Sequence, residues 1–172
     1  MQECTIRRAV KNDVPLIRRL AEIIWREHYP SIIGNDQVEY MLRRMYPESE
    51  LARQMANEGQ VFFICHVQDE PVGFFSVQVK EDDGGFIPKF YLAQEQRGKG
   101  AAAAMMKEAL DYLRIHGCTE VRLQVNRMNI RPLNFYFKQG FKIEKAADFD
   151  IGDGFFMNDF IMLRKLGDGP SL

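Results

Sequence analysis

The spacing of apolar and polar positions changes period along the chain. After a short apolar–polar alternation at Thr5 to Ala9, read as a first strand, the pattern becomes helical. Leu16, Ile17, Leu20, Ile23 and Ile24 recur at three- and four-residue intervals behind Asn12 or Asp13, either of which suits an N-cap. That helix fades at His28-Tyr29-Pro30, and Ser31 to Asn35 reads as a connection. A second helix carries Val38, Tyr40, Met41, Leu42 and Met45 up to Pro47, and a third spans Glu48 to Asn57 before Gly59. From Val61 the period shortens. Val61 to Val67 is a continuous β-rich run, as in a strand covered on both faces, and Pro71 to Val79 forms a hairpin with it. Phe86 to Leu92 is the next strand, after a turn at Glu81 to Gly85.

Behind Leu92 the chain becomes polar, glycine-rich and then alanine-rich: Ala93-Gln94-Glu95-Gln96-Arg97-Gly98-Lys99-Gly100-Ala101-Ala102-Ala103-Ala104. Met105, Met106, Ala109, Leu110 and Leu113 then give one apolar helical face, which ends near His116-Gly117. Val121 to Val125 alternates as a strand. Strand, turn, helix and strand in this order make a crossover unit, which demands a parallel pairing. Leu133 to Lys138 is a short helix with Pro132 in its first turn, and Gly140 stops it. Phe141 to Glu144 reads as a strand, Asp148 to Gly154 as a polar loop and Phe155 to Leu163 as the last strand. The pattern predicts one domain over residues 1–172, with a loose tail from about residue 167.

Composition narrows this picture without naming a chemistry. A net charge of −1 with scattered basic residues gives no nucleic-acid footprint. No apolar run approaches a membrane span and no secretory leader is visible, so no membrane partner and a cytoplasmic setting are expected. Three cysteines, Cys4, Cys65 and Cys118, lack paired spacing, so reduced thiols and no metal are expected.

The glycine turn is where the chemistry concentrates. Glycines let backbone N–H groups approach a ligand, and a helix N-terminus adds unpaired donors and a positive dipole end. Together they form a phosphate cradle. Gly98, Gly100 and Ala103 also satisfy the dinucleotide fingerprint, but that turn belongs after a first strand, and here at least three strands precede it. A Walker loop fails because Gly100 follows Lys99 where Ser or Thr is required.

Glu95-Gln96-Arg97-Gly98-Lys99-Gly100 resembles the Q/R-x-x-G-x-G/A signature of the GNAT superfamily of acetyl-CoA-dependent N-acetyltransferases. The resemblance extends through Val125-Asn126-Arg127-Met128-Asn129 to Phe135-Tyr136-Phe137-Lys138-Gln139-Gly140-Phe141, which is similar to the family's V-N-x-x-N-x-x-A-x-x-F-Y-x-x-x-G-F segment. In this register Glu95 replaces a Gln or Arg, and Pro132 replaces an Ala. A looser similarity, through Gln37 to Leu42 and Ile151 to Asp159, is to bacterial polyamine-type acetyltransferases.

The resemblance implies an α/β (α+β) fold: a mixed, mainly antiparallel sheet of six to seven strands flanked by helices, with the strand–phosphate turn–helix–strand unit at its centre. It implies acetyl-CoA as co-substrate and direct transfer of acetyl to a primary amine in a ternary complex, with a small amine or polyamine favoured. The alternatives are a protein N-terminal or lysine acetyltransferase, and a catalytically weak acetyl-CoA-binding sensor. Homodimerisation stays open. By the same resemblance Gln96, Arg97, Gly98, Lys99, Gly100, Ala101 and Ala102 hold the pyrophosphate and Leu92 offers its backbone to the pantetheine arm. Asn129 would bond the cofactor, or equally cap the helix that follows. Tyr136 is the expected acid for the departing thiolate. Glu27, His28 and Tyr29 lie where the acceptor site is expected, and Asp150, Asp153 and Asp159 are further partners for a cationic acceptor.

Overall fold

A computed structural model describes residues 3–167. Apart from Gly167, the expected tail falls outside the described residues. Seven strands make one sheet in the order β1-β2-β3-β4-β5-β7-β6. They are β1 (Cys4–Arg8), β2 (Val61–Val67), β3 (Glu70–Val79), β4 (Gly84–Leu92), β5 (Glu120–Asn126), β6 (Lys142–Gly152) and β7 (Phe155–Lys165). Every neighbouring pair is antiparallel except β4 and β5, which the crossover helix makes parallel.

Helices cover both faces. On one side lie α1 (Val14–His28), the single turn α2 (Pro30–Ile33), α3 (Asn35–Met45) and α4 (Glu48–Asn57). Ile17, Leu20, Ala21, Ile24 and Trp25 turn the inner face of α1 onto Phe62, Ile64 and Phe74 of the sheet. Ile23, counted with that apolar set in the sequence, is 49 % exposed instead. On the other side α5 (Ala101–Ile115) and α6 (Ile130–Lys138) pack Met105, Met106, Leu110, Leu113, Leu133 and Tyr136 against Phe63, Phe75 and Leu123. Successive β2 residues therefore enter two different cores, which is why that strand reads as an unbroken apolar run.

Four segments differ from their sequence reading, the first being the turn expected at Glu81 to Gly85, whose two glycines already pair in β4. Asp13 occupies the N-cap position of α1, but its carboxylate bonds Arg7 and the Val10 N–H rather than the helix. The Ser31 to Asn35 connection contains the extra turn α2. The expected loop at Asp148 to Gly154 is strand through Gly152, and only Asp153-Gly154 turns before β7 begins. β6 is an edge strand exposed over most of its length, so no buried face imposes the alternation by which a strand is recognised. The tip of this long hairpin is clipped to α3. Gln37 Nε2 donates to the Phe156 carbonyl at 2.7 Å and Arg44 Nη1 to the Ile151 carbonyl at 2.8 Å, while Tyr40 lies against Phe155.

Lys89 is a charge buried on the α1–α4 side of the sheet. Its Nζ donates to Gln54 Oε1 at 2.7 Å and Gln60 Oε1 at 3.3 Å. Its ammonium also lies over the rings of Tyr46 and Phe62. Burial pushes its pKa down from 10.5 to about 8, against the pull of Glu58 and Glu50.

Candidate active site

The parallel ladder is short. β4 and β5 pair from Gly84↔Glu120 to Ile87↔Leu123, and the next residue, Pro88, has no N–H to donate. Beyond it the strands diverge, and β5 stays with β7 as far as Asn126↔Asp159. Two cavities occupy this wedge. The wider, about 390 Å³, lies beside Leu92, Gly98, Ala102, His28 and Arg131. The narrower, about 90 Å³, lies towards Gln37, Met41, Gln124, Met157 and Asp159. Tyr29, Phe90, Tyr91, Asn129, Pro132 and Tyr136 line both.

The wider cavity has the glycine turn at its rim. Gln94–Gln96 form one 3₁₀ turn, and Gly100 then takes the left-handed conformation (φ 97°) at the N-cap of α5. Gly98 is also left-handed, and a Cβ there would meet no protein atom within 4 Å. Space beside it is therefore left for a ligand. The first N–H of the helix to find a backbone carbonyl is that of Ala104, on Gly100, at 3.1 Å. Those of the preceding turn remain as anion donors. Gln96 Oε1 is buried there without a partner.

The helix start also re-registers the motif. With Gly100 as the cap residue, Arg97-Gly98-Lys99-Gly100-Ala101-Ala102 satisfies Q/R-x-x-G-x-G/A with no departure. Glu95 then precedes the motif, and its side chain is exposed. Lys99 is exposed and lines neither cavity, while Ala101 is part of the core.

A polar chain runs along the wider cavity. Arg97 Nε and Nη2 each donate to the Leu92 carbonyl at 3.3 Å, and Arg97 Nη1 contacts His28 Nδ1 at 3.1 Å. His28 Nε2 lies 2.8 Å from Asn129 Oδ1. Guanidinium only donates, so Nδ1 accepts and Nε2 carries the proton that it gives to Asn129. Burial first, then the charges of Arg97 and Arg131, push the His28 pKa below its ordinary value, in accord with a neutral ring. Asn129 is 3 % exposed and makes no side-chain cap bond to α6, although it occupies the N-cap position. With Oδ1 committed to His28, its amide N–H₂ is what it offers the cavities. The Leu92 carbonyl is already met by two N–H groups of Arg97, so a ligand amide would share it with that guanidinium.

Tyr136 stands where the cavities meet. It is 6 % exposed and packed among Phe90, Phe135 and Phe141 at ring distances of 6.2, 5.5 and 5.9 Å. Burial raises its pKa, so the phenol keeps its proton at neutral pH. Of the three residues expected at the acceptor site, only Tyr29 reaches the narrower cavity, stacked on Trp25 at 4.4 Å. His28 faces the wider one, and Glu27 is exposed and lines neither. Asp150 and Asp153 are exposed near the hairpin tip. Asp159 is 3 % exposed and lines the narrower cavity. Burial raises its pKa from 3.8 to about 6, with Arg127 pulling the other way. Nothing in the sequence separates it from the other two aspartates except its place inside an apolar strand.

Residues 17–141 match the acetyltransferase (GNAT) family, and the chain belongs to it. Spermidine N(1)-acetyltransferase of Thermoplasma acidophilum is 26% identical over 164 residues, 93% of this chain and 96% of that protein. An uncharacterized N-acetyltransferase of Mycobacterium tuberculosis is 37% identical over 137 residues, 80% of this chain and 87% of that one. Among solved structures, the PaiA N-acetyltransferase of Thermoplasma acidophilum in complex with coenzyme A superposes with a TM-score of 0.79 at 25% identity, covering 95% of this chain and 99% of that one. The ribosomal-protein-S18-alanine N-acetyltransferase of Escherichia coli shares the fold, with a TM-score of 0.70 at 17% identity over 99% of both chains. The protein is thus an acetyltransferase of the GNAT family, and membership implies acetyl-CoA as its co-substrate.

Proposed function

We propose that the protein transfers acetyl from acetyl-CoA to the primary amine of a small aliphatic acceptor, a polyamine being the favoured class, by direct attack in a ternary complex. The observation that carries this reading is the pair of cavities meeting at Tyr136. The wider has the glycine turn, the Leu92 carbonyl and Asn129, groups suited to pyrophosphate and to an amide-bearing arm. Gln96, Gly98, Gly100 and Ala102 with their backbone, and Arg97 with its charge, would hold the cofactor there. Acetyl-CoA supplies an activated carbonyl joined to a thiol leaving group.

The chain's own groups do the rest. Tyr136, kept protonated by burial, can give its proton to the departing sulfur, whose thiol has a reference pKa of about 8.5. The narrower cavity, about 90 Å³, is walled by α3 and the clipped hairpin, which supports a slim acceptor over a folded protein surface. The spermidine acetyltransferase relative, aligned over nearly the whole chain, supports the same substrate class.

The test is acetyl transfer over a panel of polyamines, monoamines, and lysine and N-terminal peptides, run beside calorimetric binding of CoA. Turnover of polyamines or small amines with micromolar CoA binding is expected. CoA binding with no transfer to any acceptor would replace this reading by a cofactor sensor. Preference for the peptides would move the acceptor to protein. Absence of CoA binding would overturn the site altogether.

A further inference from the structure

The geometry points to Asp159 as the group that receives the protonated amine of the acceptor and takes its proton, which makes the narrower cavity selective for alkylammonium ions. This rests on the acetyl-transfer reading above, which leaves the proton's destination open.

Three observations carry it. Asp159 is 3 % exposed, yet it lines the narrower cavity across the wedge from Tyr91, with Tyr136 and Asn129 on the same wall system. A buried carboxylate is costly unless a cation or hydrogen-bond donors compensate it. Arg127, the cation that bears on it, is already paired with Asp148 of β6. Burial outweighs that pull, and among the described residues no hydrogen bond contributes to holding Asp159 ionised. Among the described residues no other side chain lining the cavity supplies a countercharge: Tyr29, Tyr91 and Tyr136 are phenols whose pKa values burial raises, Gln37 donates to the Phe156 carbonyl, and the neutral donors Trp25 Nε1 and the Asn129 amide make no hydrogen bond to Asp159. An ammonium ion entering the cavity supplies the missing charge.

The proton balance follows. The acceptor R–NH₃⁺ gives one proton to the Asp159 carboxylate and becomes R–NH₂. Its lone pair forms the C–N bond to the thioester carbonyl carbon as the C–S bond breaks. The sulfur leaves with the pair from that bond and takes the Tyr136 proton. The second nitrogen proton restores the phenol, and Asp159 releases its proton to solvent. The products are the acetamide, CoA thiol and one proton. A carboxyl group titrating near 6 rather than 3.8 is about a hundredfold stronger as a base for this step.

Asp159→Asn keeps shape and removes charge. With butane-1,4-diamine the variant is expected to lose at least fiftyfold in kcat/KM, chiefly through the diamine KM, with the acetyl-CoA KM within twofold. The acidic limb near pH 6 in the wild-type profile should vanish. Tyr29, Tyr91 and Tyr136, which line the same cavity, are raised above 10, and Arg127 stays charged throughout. His28, bonded to Asn129, is pushed below its ordinary value, so a limb that persists in Asp159→Asn belongs to His28 and counts against Asp159. By calorimetry, diamine binding to the CoA-loaded variant should be lost while CoA binding persists. If the variant fails to fold, the wild type still decides. Butylamine should exceed 4-propylaniline, uncharged at neutral pH, by at least twentyfold in kcat/KM. Wild-type kinetics in Asp159→Asn, or equal use of the two amines, overturns the assignment of Asp159 and leaves acetyl transfer standing. Failure of the wild type on every amine overturns both.

Discussion

The two cavities that share Tyr136 are built in opposite ways. The wider one has along its rim a contiguous piece of chain, from Phe90 through the glycine turn to Ala102, whose strand end and helix start present backbone groups, with side chains of α1 and α6 opposite. The narrower one gathers Tyr29 from the junction of α1 and α2, Gln37 from α3, Gln124 from β5 and Asp159 from β7, and its polarity comes from side chains. A backbone site reads one fixed ligand and tolerates sequence change. A side-chain site can be retuned one residue at a time. Within one family this difference lets a common cofactor serve many acceptors, so the cofactor side announces itself in the sequence and the acceptor side does not.

Tyr136→Phe strikes the point where both halves act, and its effect should be the largest. Removing the phenolic proton is expected to lower kcat by about 10²- to 10³-fold, within the range for a lost general acid. CoA affinity should change by less than about twofold, because the ring keeps its packing against Phe90, Phe135 and Phe141. Stopped-flow turnover and calorimetry on one preparation check both halves. Full turnover in the variant would confine Tyr136 to packing.

The same contrast governs what the sequence revealed. The strand–turn–helix–strand unit was legible because every signal in it is local: a β-rich run, two glycines, a helical apolar face and an alternating strand. Gly100 as the helix cap is one of these, and the register from Arg97 to Ala102 that it implies fits the motif without the Glu95 departure. On the acceptor side, Glu27 and His28 are one residue apart and differ wholly in place, because one helical step turns a side chain by about 100°. Asp159 could not be told from Asp150 and Asp153 until the β5–β7 register set it opposite Asn126, inside the wedge. β6 was cut short at Glu144 because an exposed edge strand leaves no alternation to read.

Two buried ionisable groups sharpen the comparison through stability. Asp159 faces a cavity with no hydrogen-bond partner among the described residues, and Lys89 is enclosed with two amide oxygens, so the first is the one free to act on a ligand. The folded pKa of Asp159 is raised, so its ionised form opposes folding: stability falls as pH rises from about 4 to 6, by up to about 3 kcal/mol. Asp159→Asn should abolish that fall and melt higher than wild type at pH 7 while losing activity, a stability–activity trade-off. The folded pKa of Lys89 is depressed, so its cost is present below pH 8 and relieved between about 8 and 10.5, again by about 3 kcal/mol. Lys89→Met should remove that alkaline rise and leave the amine KM unchanged. Urea unfolding at half-unit pH intervals separates the two; a rise surviving in Lys89→Met assigns it elsewhere.

Gly100→Ala tests the backbone side with the smallest change available. At φ 97° an alanine Cβ is strained by about 1–2 kcal/mol, and the turn can relieve this only by rotating the N–H groups that open α5. The expected result is about a tenfold weaker CoA Kd, with the acceptor KM unaltered and unfolding stability lower by about 1 kcal/mol. Asp159→Asn should do the reverse, leaving CoA bound and the amine lost. If the cavities are independent halves joined at Tyr136, the double variant Gly100→Ala/Asp159→Asn loses binding free energy additively, as separated sites do. A coupling above about 0.5 kcal/mol would mean instead that the cofactor turn orders the acceptor side, through the Arg97–His28–Asn129 chain that is the direct polar link between them.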